Sequence, residues 1–401
     1  MAGKIFNTAK NRQIVKYDYL SLEKRGQAVL IEIREIHNKK DLKKFIAFPH
    51  QLYAGNQFWV PPFRFDELNT LRPDKNPAFE HSEAKYWLAY KNGKIAGRIA
   101  GIINHLFIDV WGKKQARFGW IDFIDDLEVS KALLTTVENW AKSKGMEAIH
   151  GPMGFCDLDR EGMLIEGFEE LGTLATNYNF PYYPRHLETH GYAKDIDAVE
   201  FALNVPQQIP EKVEKINQTL LKRGKFNLLK VQRAKDLMPY APGIFSLIND
   251  GYKELYGVVP LSDGQIKSYT KQYFSFINPD FVKVILDQEG QMAAFAITMP
   301  SLSRALQKSQ GRLFPFGFMH ILQAMKKNDT LDLYLIAVRP DLQNKGVNSL
   351  LMTEITRSAI EHAVVKAESN PELESNEKVQ SLWKHYDSRQ HKRRRIYIKN
   401  L

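Results

Sequence analysis

A single cysteine, Cys156, occurs in 401 residues. One thiol excludes an internal disulfide framework and any thiolate-rich zinc site. Alone, it reads as a small buried apolar residue before it reads as a nucleophile. Long apolar runs are missing as well. No uninterrupted stretch approaches the ~18 residues that cross a bilayer. The N-terminal segment "MAGKIFNTAKNRQIVKYDYL" carries charge without the apolar core of a secretory signal. A cytoplasmic chain with no membrane span is expected. The 11 histidines show no HExxH, and His186 and His190, spaced for one helical face, have no third ligand beside them. No metal is therefore expected.

What is present describes a globular protein: 44% hydrophobic and 25% charged residues, in a length that suits two domains. Lys and Arg number 56 against 46 Asp and Glu, so an anionic ligand is worth considering. Much of the excess sits in "RQHKRRRIYIKN". There Ile396, Tyr397 and Ile398 carry a strand signal that disfavours a disordered nucleic-acid tail.

Along the chain, a polar stretch over 1–27 reads as an extension. The strand "AVLIEIREI" follows, then a helix opening at Asn38 or Asp41, then a hairpin turning at Asn92-Gly93, where the turn needs positive φ angles. Next come the strand "RFGWIDFID", a helix stopped at Gly145, a short strand "EAIHGPMG", the Tyr- and Pro-rich "YNFPYYPRHLETHGYAKD", and the strand "AVEFALNV". The second half repeats this order with little residue identity. It has the strand "NLLKVQRA", a helix broken near Pro242, a hairpin at Glu289-Gly290, a basic helical stretch ending "PFGFMHILQAMKKN", and a final strand "RRIYIK". Two prolines in "PQQIPEKVEK" mark a boundary, giving an extension over 1–27 and units over 28–205 and 206–401.

Between that basic stretch and the end lies "LDLYLIAVRPDLQNKGVNSLLMTEITRSAIEHAV", residues 331–364. A nearly continuous apolar run suits a strand buried on both faces, and Pro340 ends its pairing. A short polar loop then opens directly into a helix near Gly346. Unpartnered amides at such a helix start favour an anion, and Lys345 adds charge. A simple tight turn at Gly346 reads equally well from these residues alone.

With the element order, this stretch resembles the GNAT superfamily of acyltransferases, whose loop signature is Gln or Arg, two residues, Gly, one residue, then Gly or Ala. Gln343 and Gly346 match; Asn348 stands where a small residue is usual. The resemblance implies two tandem α/β (α+β) domains, each a mixed, largely antiparallel sheet flanked by helices. It further implies that Leu335, Ile336, Ala337 and Val338 line the pantetheine arm of acetyl-CoA or another acyl-CoA. Gln343, Asn344, Lys345, Gly346, Val347, Asn348 and Ser349 would hold its diphosphate. Asn376 opens a segment similar to the family's Asn-containing helix, in which Trp383 replaces the usual Tyr; Tyr386, one turn on, is the substitute acid. The first half resembles the fold without its loop. Its "GP", Gly167-Phe168 and "YNFPYY" resemble a group of tandem GNAT-like bacterial proteins.

Amine acylation needs a deprotonated amine and a donor for the developing oxyanion. Glu368, just after "AVVKA", is the candidate base, ahead of Asp332; a surface carboxylate at a strand end is its bland alternative. Tyr178, Asn179, Tyr182 and Tyr183, with Arg185, either line an acceptor pocket or pack an irregular loop. The reading is direct acyl transfer from acyl-CoA, acetyl by expectation, to a small-molecule or peptide amine. The alternatives are a non-catalytic protein of this fold that binds coenzyme A or another ligand, and an acyltransferase using a longer acyl chain.

Overall fold

The computed structural model describes residues 30–222, 225–274 and 277–401, together with the strand Ile14–Tyr17; the remainder of the extension over 1–27 lies outside the described residues. Strand β1 (Ile14–Tyr17) pairs with β2 (Ile31–Glu35). Helix α1 (Lys39–Leu52) follows, capped by the Asn38 side chain on the Asp41 amide at 3.0 Å, with Leu42, Phe45, Ile46 and Phe48 on its buried side. After α2 (Arg64–Thr70) comes the hairpin β3 (Ser82–Lys91) and β4 (Lys94–Asn104), turning on Asn92 at φ 50° and Gly93 at φ 76°. Then come α3 (His105–Trp111), β5 (Gln115–Phe123), α4 (Leu127–Ser143), β6 (Ala148–Gly151), β7 (Met163–Glu166), α5 (Tyr182–Thr189) and β8 (Ala193–Asn204).

The second half supplies α6 (Glu211–Lys222), β9 (Phe226–Leu228), α7 (Ala241–Tyr252), α8 (Asp263–Tyr273), β10 (Val282–Asp287) and β11 (Met292–Pro300). Pro242 lies in the first turn of α7, where its missing N–H has no partner to lose. The basic stretch forms two helices, α9 (Ser303–Ser309) and α10 (Gly317–Lys326). They lead to β12 (Thr330–Val338), α11 (Val347–Glu361), β13 (Lys366–Ser369), β14 (Glu372–Leu373), α12 (Glu377–Trp383) and β15 (Asp387–Asn400).

In each half a hairpin, a third antiparallel strand, a crossover helix and a parallel strand follow one another. β5 and β6 are parallel over Gln115–Arg117, and β12 and β13 over Thr330–Leu333. The halves share one sheet, ordered β1-β2-β3-β4-β5-β6-β15-β8-β13-β12-β11-β10-β9. The C-terminal strand β15 thus lies against β6, and β8 of the first half lies between β15 and β13. Among the described residues no helix is long and apolar enough to cross a membrane.

The basic terminal strand is a strand in the structure, and its charges are spoken for. Arg395 bonds Asp197 at 2.8 Å, Arg393 reaches Glu374 at 3.2 Å, Arg389 meets Glu170 at 2.7 Å and Lys399 meets Glu138 at 2.9 Å. Lys392 and Arg394 are almost fully buried against Glu200 and Glu368.

Candidate active site

Regular pairing ends after a few residues in both parallel pairs, but the outcomes differ. Beyond the β5/β6 ladder, Gly119 and Gly151 let the chains stay close. A side chain on Gly119 would stand 2.3 Å from the Met153 carbonyl, one on Gly151 would stand 2.2 Å from that of Phe118, and the Met153 amide bonds Phe118 at 2.8 Å. Where β12 and β13 part, the chains stay apart. Pairing ends at Leu333 opposite Ser369, and Asn370 spans the last contact with its amide on the Leu333 carbonyl and its side chain on that of Tyr334, each at 3.1 Å. Against β11, Ile297 opposes Leu335 and Thr298 opposes Leu333, so Tyr334 is a bulged residue at the point of parting.

A cavity of about 860 Å³ opens from this gap and runs between the halves. Leu335 and Ile336 line it, and the Tyr252 hydroxyl donates to the Ile336 carbonyl at 2.9 Å; Ala337 and Val338 are buried in the cores to either side. Asn376 also lines it and caps α12 through the Val379 amide at 3.4 Å. The loop Gln343–Ser349 lies outside the cavity wall. Gly346 takes φ 84° and starts α11 with no side chain capping it, so the first amides of that helix lack an intrahelical partner. Gln343, Asn344, Lys345 and Ser349 are exposed, Asn348 is half-buried and Val347 is buried. A Cβ on Gly346 would meet Leu220 of α6 at 3.0 Å.

Of the aromatic set, Tyr178, Asn179 and Tyr183 reach the cavity wall. Tyr178 donates to Phe168 and accepts from Asn56, both at 3.2 Å, while Asn179 is locked onto Leu164 by bonds of 2.7 and 3.0 Å. Tyr183 shares a buried network with Tyr53 and Asp122. Tyr182 stays outside, its hydroxyl on the Phe123 carbonyl at 2.5 Å. Tyr386 also lies off the cavity, on a small crevice beneath α11, with its hydroxyl 3.4 Å from Thr356.

Glu368 sits on β13 opposite Asp332, held by Lys392 and lying 3.4 Å from His391 Nε2. It is largely buried, yet these cationic and donor neighbours hold its carboxyl below the usual range. Its charge acts on Asp332, whose fully buried carboxyl is pushed up to about 7, first by burial and then by Glu368. Asp332 Oδ2 accepts from the Tyr334 hydroxyl at 3.3 Å. Glu200, Glu368 and His391 lie close enough together for a cation, but Lys392 and Arg394 already supply positive charge there.

Sequence reasoning missed Glu372. It follows the parting of the strands, lines the cavity, and accepts from Trp383 Nε1 at 2.8 Å; burial pushes its carboxyl up to about 7. Further along the wall, burial raises Asp157 and Asp159 to about 6 and also raises Asp66 and Glu67. Arg160 lies among these groups, its Nε on the Leu174 carbonyl at 3.0 Å. Trp120, at φ 43° on a bulge of β5, donates to Glu67 at 3.2 Å. Cys156 is buried 3.3 Å from the Tyr269 hydroxyl, and burial raises its thiol, which is the reverse of what a nucleophile needs.

A hairpin, a bulged central strand, a helix crossover and a parallel strand that splays from its neighbour constitute the GNAT fold, present here in tandem. Among solved structures, a tandem GNAT protein from the clavulanic acid biosynthesis pathway aligns with a TM-score of 0.52 at 12% identity, over 92% of this chain and 98% of that one. The GCN5-related glucosamine N-acetyltransferase region of a fungal multi-domain β-N-acetylglucosaminidase aligns with a TM-score of 0.53 at 10% identity, over 94% of this chain and 39% of that one. No protein-family model matches the sequence. Protein YghO of Escherichia coli (strain K12) is 31% identical over 376 residues, 92% of this chain and 95% of its own length, and the chain belongs to its family. Bacterial ceramide synthase of Caulobacter vibrioides is 27% identical over 300 residues, 74% of this chain and 77% of that protein.

Proposed function

We propose that this protein is an acyl-CoA-dependent N-acyltransferase that joins a long acyl chain to the amine of a lipid-like acceptor by direct transfer. The observation that carries the reading is the cavity: about 860 Å³, continuous with the β12/β13 gap and walled by residues such as Ile244, Phe245, Ile297, Ile321 and Met352. That size lies toward the top of the ~300–1,000 Å³ common for ligand sites. An acetyl group would leave most of it empty, which favours the longer-chain alternative. A ceramide is a fatty amide of a long-chain amino alcohol, so the Caulobacter relative's name agrees with this chemistry.

In this reading the pantetheine arm runs along Leu335–Val338, and the diphosphate meets the amides of Gly346 to Ser349 beside Lys345. The thioester carbonyl then lies at the bulge around Tyr334. The amine attacks the thioester carbon, the C–S bond breaks, and the leaving sulfur takes up a proton. Glu372 accepts the amine proton, since its carboxyl is tuned near neutrality at the end of the gap. The Tyr334 hydroxyl, backed by Asp332, is the candidate proton donor; Glu368 acts on it through Asp332. The acidic wall at Asp66 and Glu67 suits a cationic amino alcohol. Tyr178, Asn179 and Tyr183 shape the acceptor side, and the closed β5/β6 pair confines cofactor binding to the second half.

Thermal-shift measurements with free coenzyme A, acetyl-CoA and palmitoyl-CoA test this. Palmitoyl-CoA is expected to raise Tm most, and Gly346→Val, strained at positive φ and pressed against Leu220, is expected to lose the shift. No shift with any of the three overturns the reading. The packing of Leu220 over Gly346 favours a second reading, a protein that holds such a ligand without turnover. A shift with palmitoyl-CoA but no amide product from long-chain amino alcohols would select it.

A further inference from the structure

The segment from Ser303 to Lys327 contains Arg304, Lys308, Arg312, Lys326 and Lys327 and no acidic residue, and all five cations are exposed. Within it several large apolar side chains also face water: Phe314 is 78% exposed, Phe316 70%, Leu322 60% and Met319 57%. Such a concentration is costly on a water-facing surface unless something covers it. α10 is apolar on two sides. Phe318, Ile321, Leu322 and Met325 line the cavity, while Met319 and Leu322 extend outward. An ordinary surface helix is polar on the side away from the core. The arm is tied to the first half at the cavity's rim, where Arg64 donates to the carbonyls of Gly311 and Gln310 and Gln307 donates to those of Gln57 and Trp59. Phe65, 45% exposed, extends the apolar rim on that side.

We infer that the α9–α10 arm docks this protein on an anionic lipid bilayer, with Phe314 and Phe316 inserted and α10 forming the passage by which lipid-like acceptor and product move between bilayer and cavity. The surface commits to a bilayer because its two components match one: aromatic and aliphatic side chains for the acyl boundary, accompanied by exposed cations in a segment without an acidic residue for anionic headgroups. The other basic region, β15, cannot serve, since its cations face Asp197, Glu170, Glu138 and Glu200. Continuity between the exposed apolar face and the cavity is what makes the arm a passage. This inference rests on the cavity being a lipid-chain site.

The test is co-sedimentation of the full chain with vesicles of phosphatidylcholine alone and of phosphatidylcholine and phosphatidylglycerol in equal parts. Binding is expected only to the second. It should weaken about tenfold in Phe314→Ser/Phe316→Ser and again in Lys326→Glu/Lys327→Glu, with the palmitoyl-CoA thermal shift of both variants unchanged. None of these four residues lines the cavity. Failure of the wild-type chain to bind anionic vesicles, or equal binding by both variants, overturns the docking. Binding of phosphatidylcholine vesicles to the same degree overturns the electrostatic part. An acyl-CoA shift without vesicle binding removes the docking and leaves the enzyme; vesicle binding without any acyl-CoA shift removes the enzyme.

Discussion

Glu372 shows how little of a site's chemistry is local. Nothing in "NPELESNEK" separates this glutamate from its neighbours; only burial beside Trp383 brings its carboxyl to about 7. As a base it must be ionised, so kcat/KM is expected to rise with pH through about 7 and level off above. Glu372→Gln should abolish that limb and lower kcat about 10²-fold or more while palmitoyl-CoA still raises Tm. An unchanged pH profile would remove Glu372 from the role. Glu368, singled out from its place at a strand end, is instead ion-paired and acts on Asp332. Tyr386, reached by helical spacing, faces Thr356, because α12 ends at Trp383 and the chain turns away.

At the scale of single elements, β15 was legible as a strand through Ile396, Tyr397 and Ile398, but its neighbours were not. Arg394 and Glu200 are each about fully buried and bonded to one another. Removing one partner leaves a stranded charge, so Arg394→Ala and Glu200→Ala are each expected to cost about 3–5 kcal/mol in denaturant unfolding. Replacing both, as in Glu200→Leu/Arg394→Met, should cost far less, because two desolvation penalties vanish with the pair. A double variant as unstable as either single one would contradict this. Helix α11 behaves in the opposite way. Its start at Gly346 was visible in the sequence because the positive φ asks for glycine, whereas Leu220 packed against it belongs to a helix more than a hundred residues earlier.

For the whole molecule, the sheet order carries the argument. β8 and β15 each hydrogen-bond to strands of the other half, so cutting between Val205 and Pro206 strips β13 and β15 of the strand between them. Residues 206–401 alone are expected to aggregate, since both edges of β15, one edge of β13 and half of the cavity wall would face water. Extending the fragment back to Tyr192 should restore part of the helical and strand circular dichroism. A monomeric, folded 206–401 fragment would show that the shared sheet is not needed.

The recurring hairpin, strand, helix and strand, the positive-φ turns at Asn92-Gly93 and Gly290, and the glycine ahead of α11 are written in short-range pattern. Side-chain period and backbone sterics act within a few residues, and a linear reading recovers them. Which strand pairs stayed close and which parted, which carboxylates titrate near neutrality, and where the basic and aromatic arm meets the cavity were settled by contacts between residues tens to hundreds apart. Desolvation and strand pairing depend on those contacts, and no local pattern encodes them.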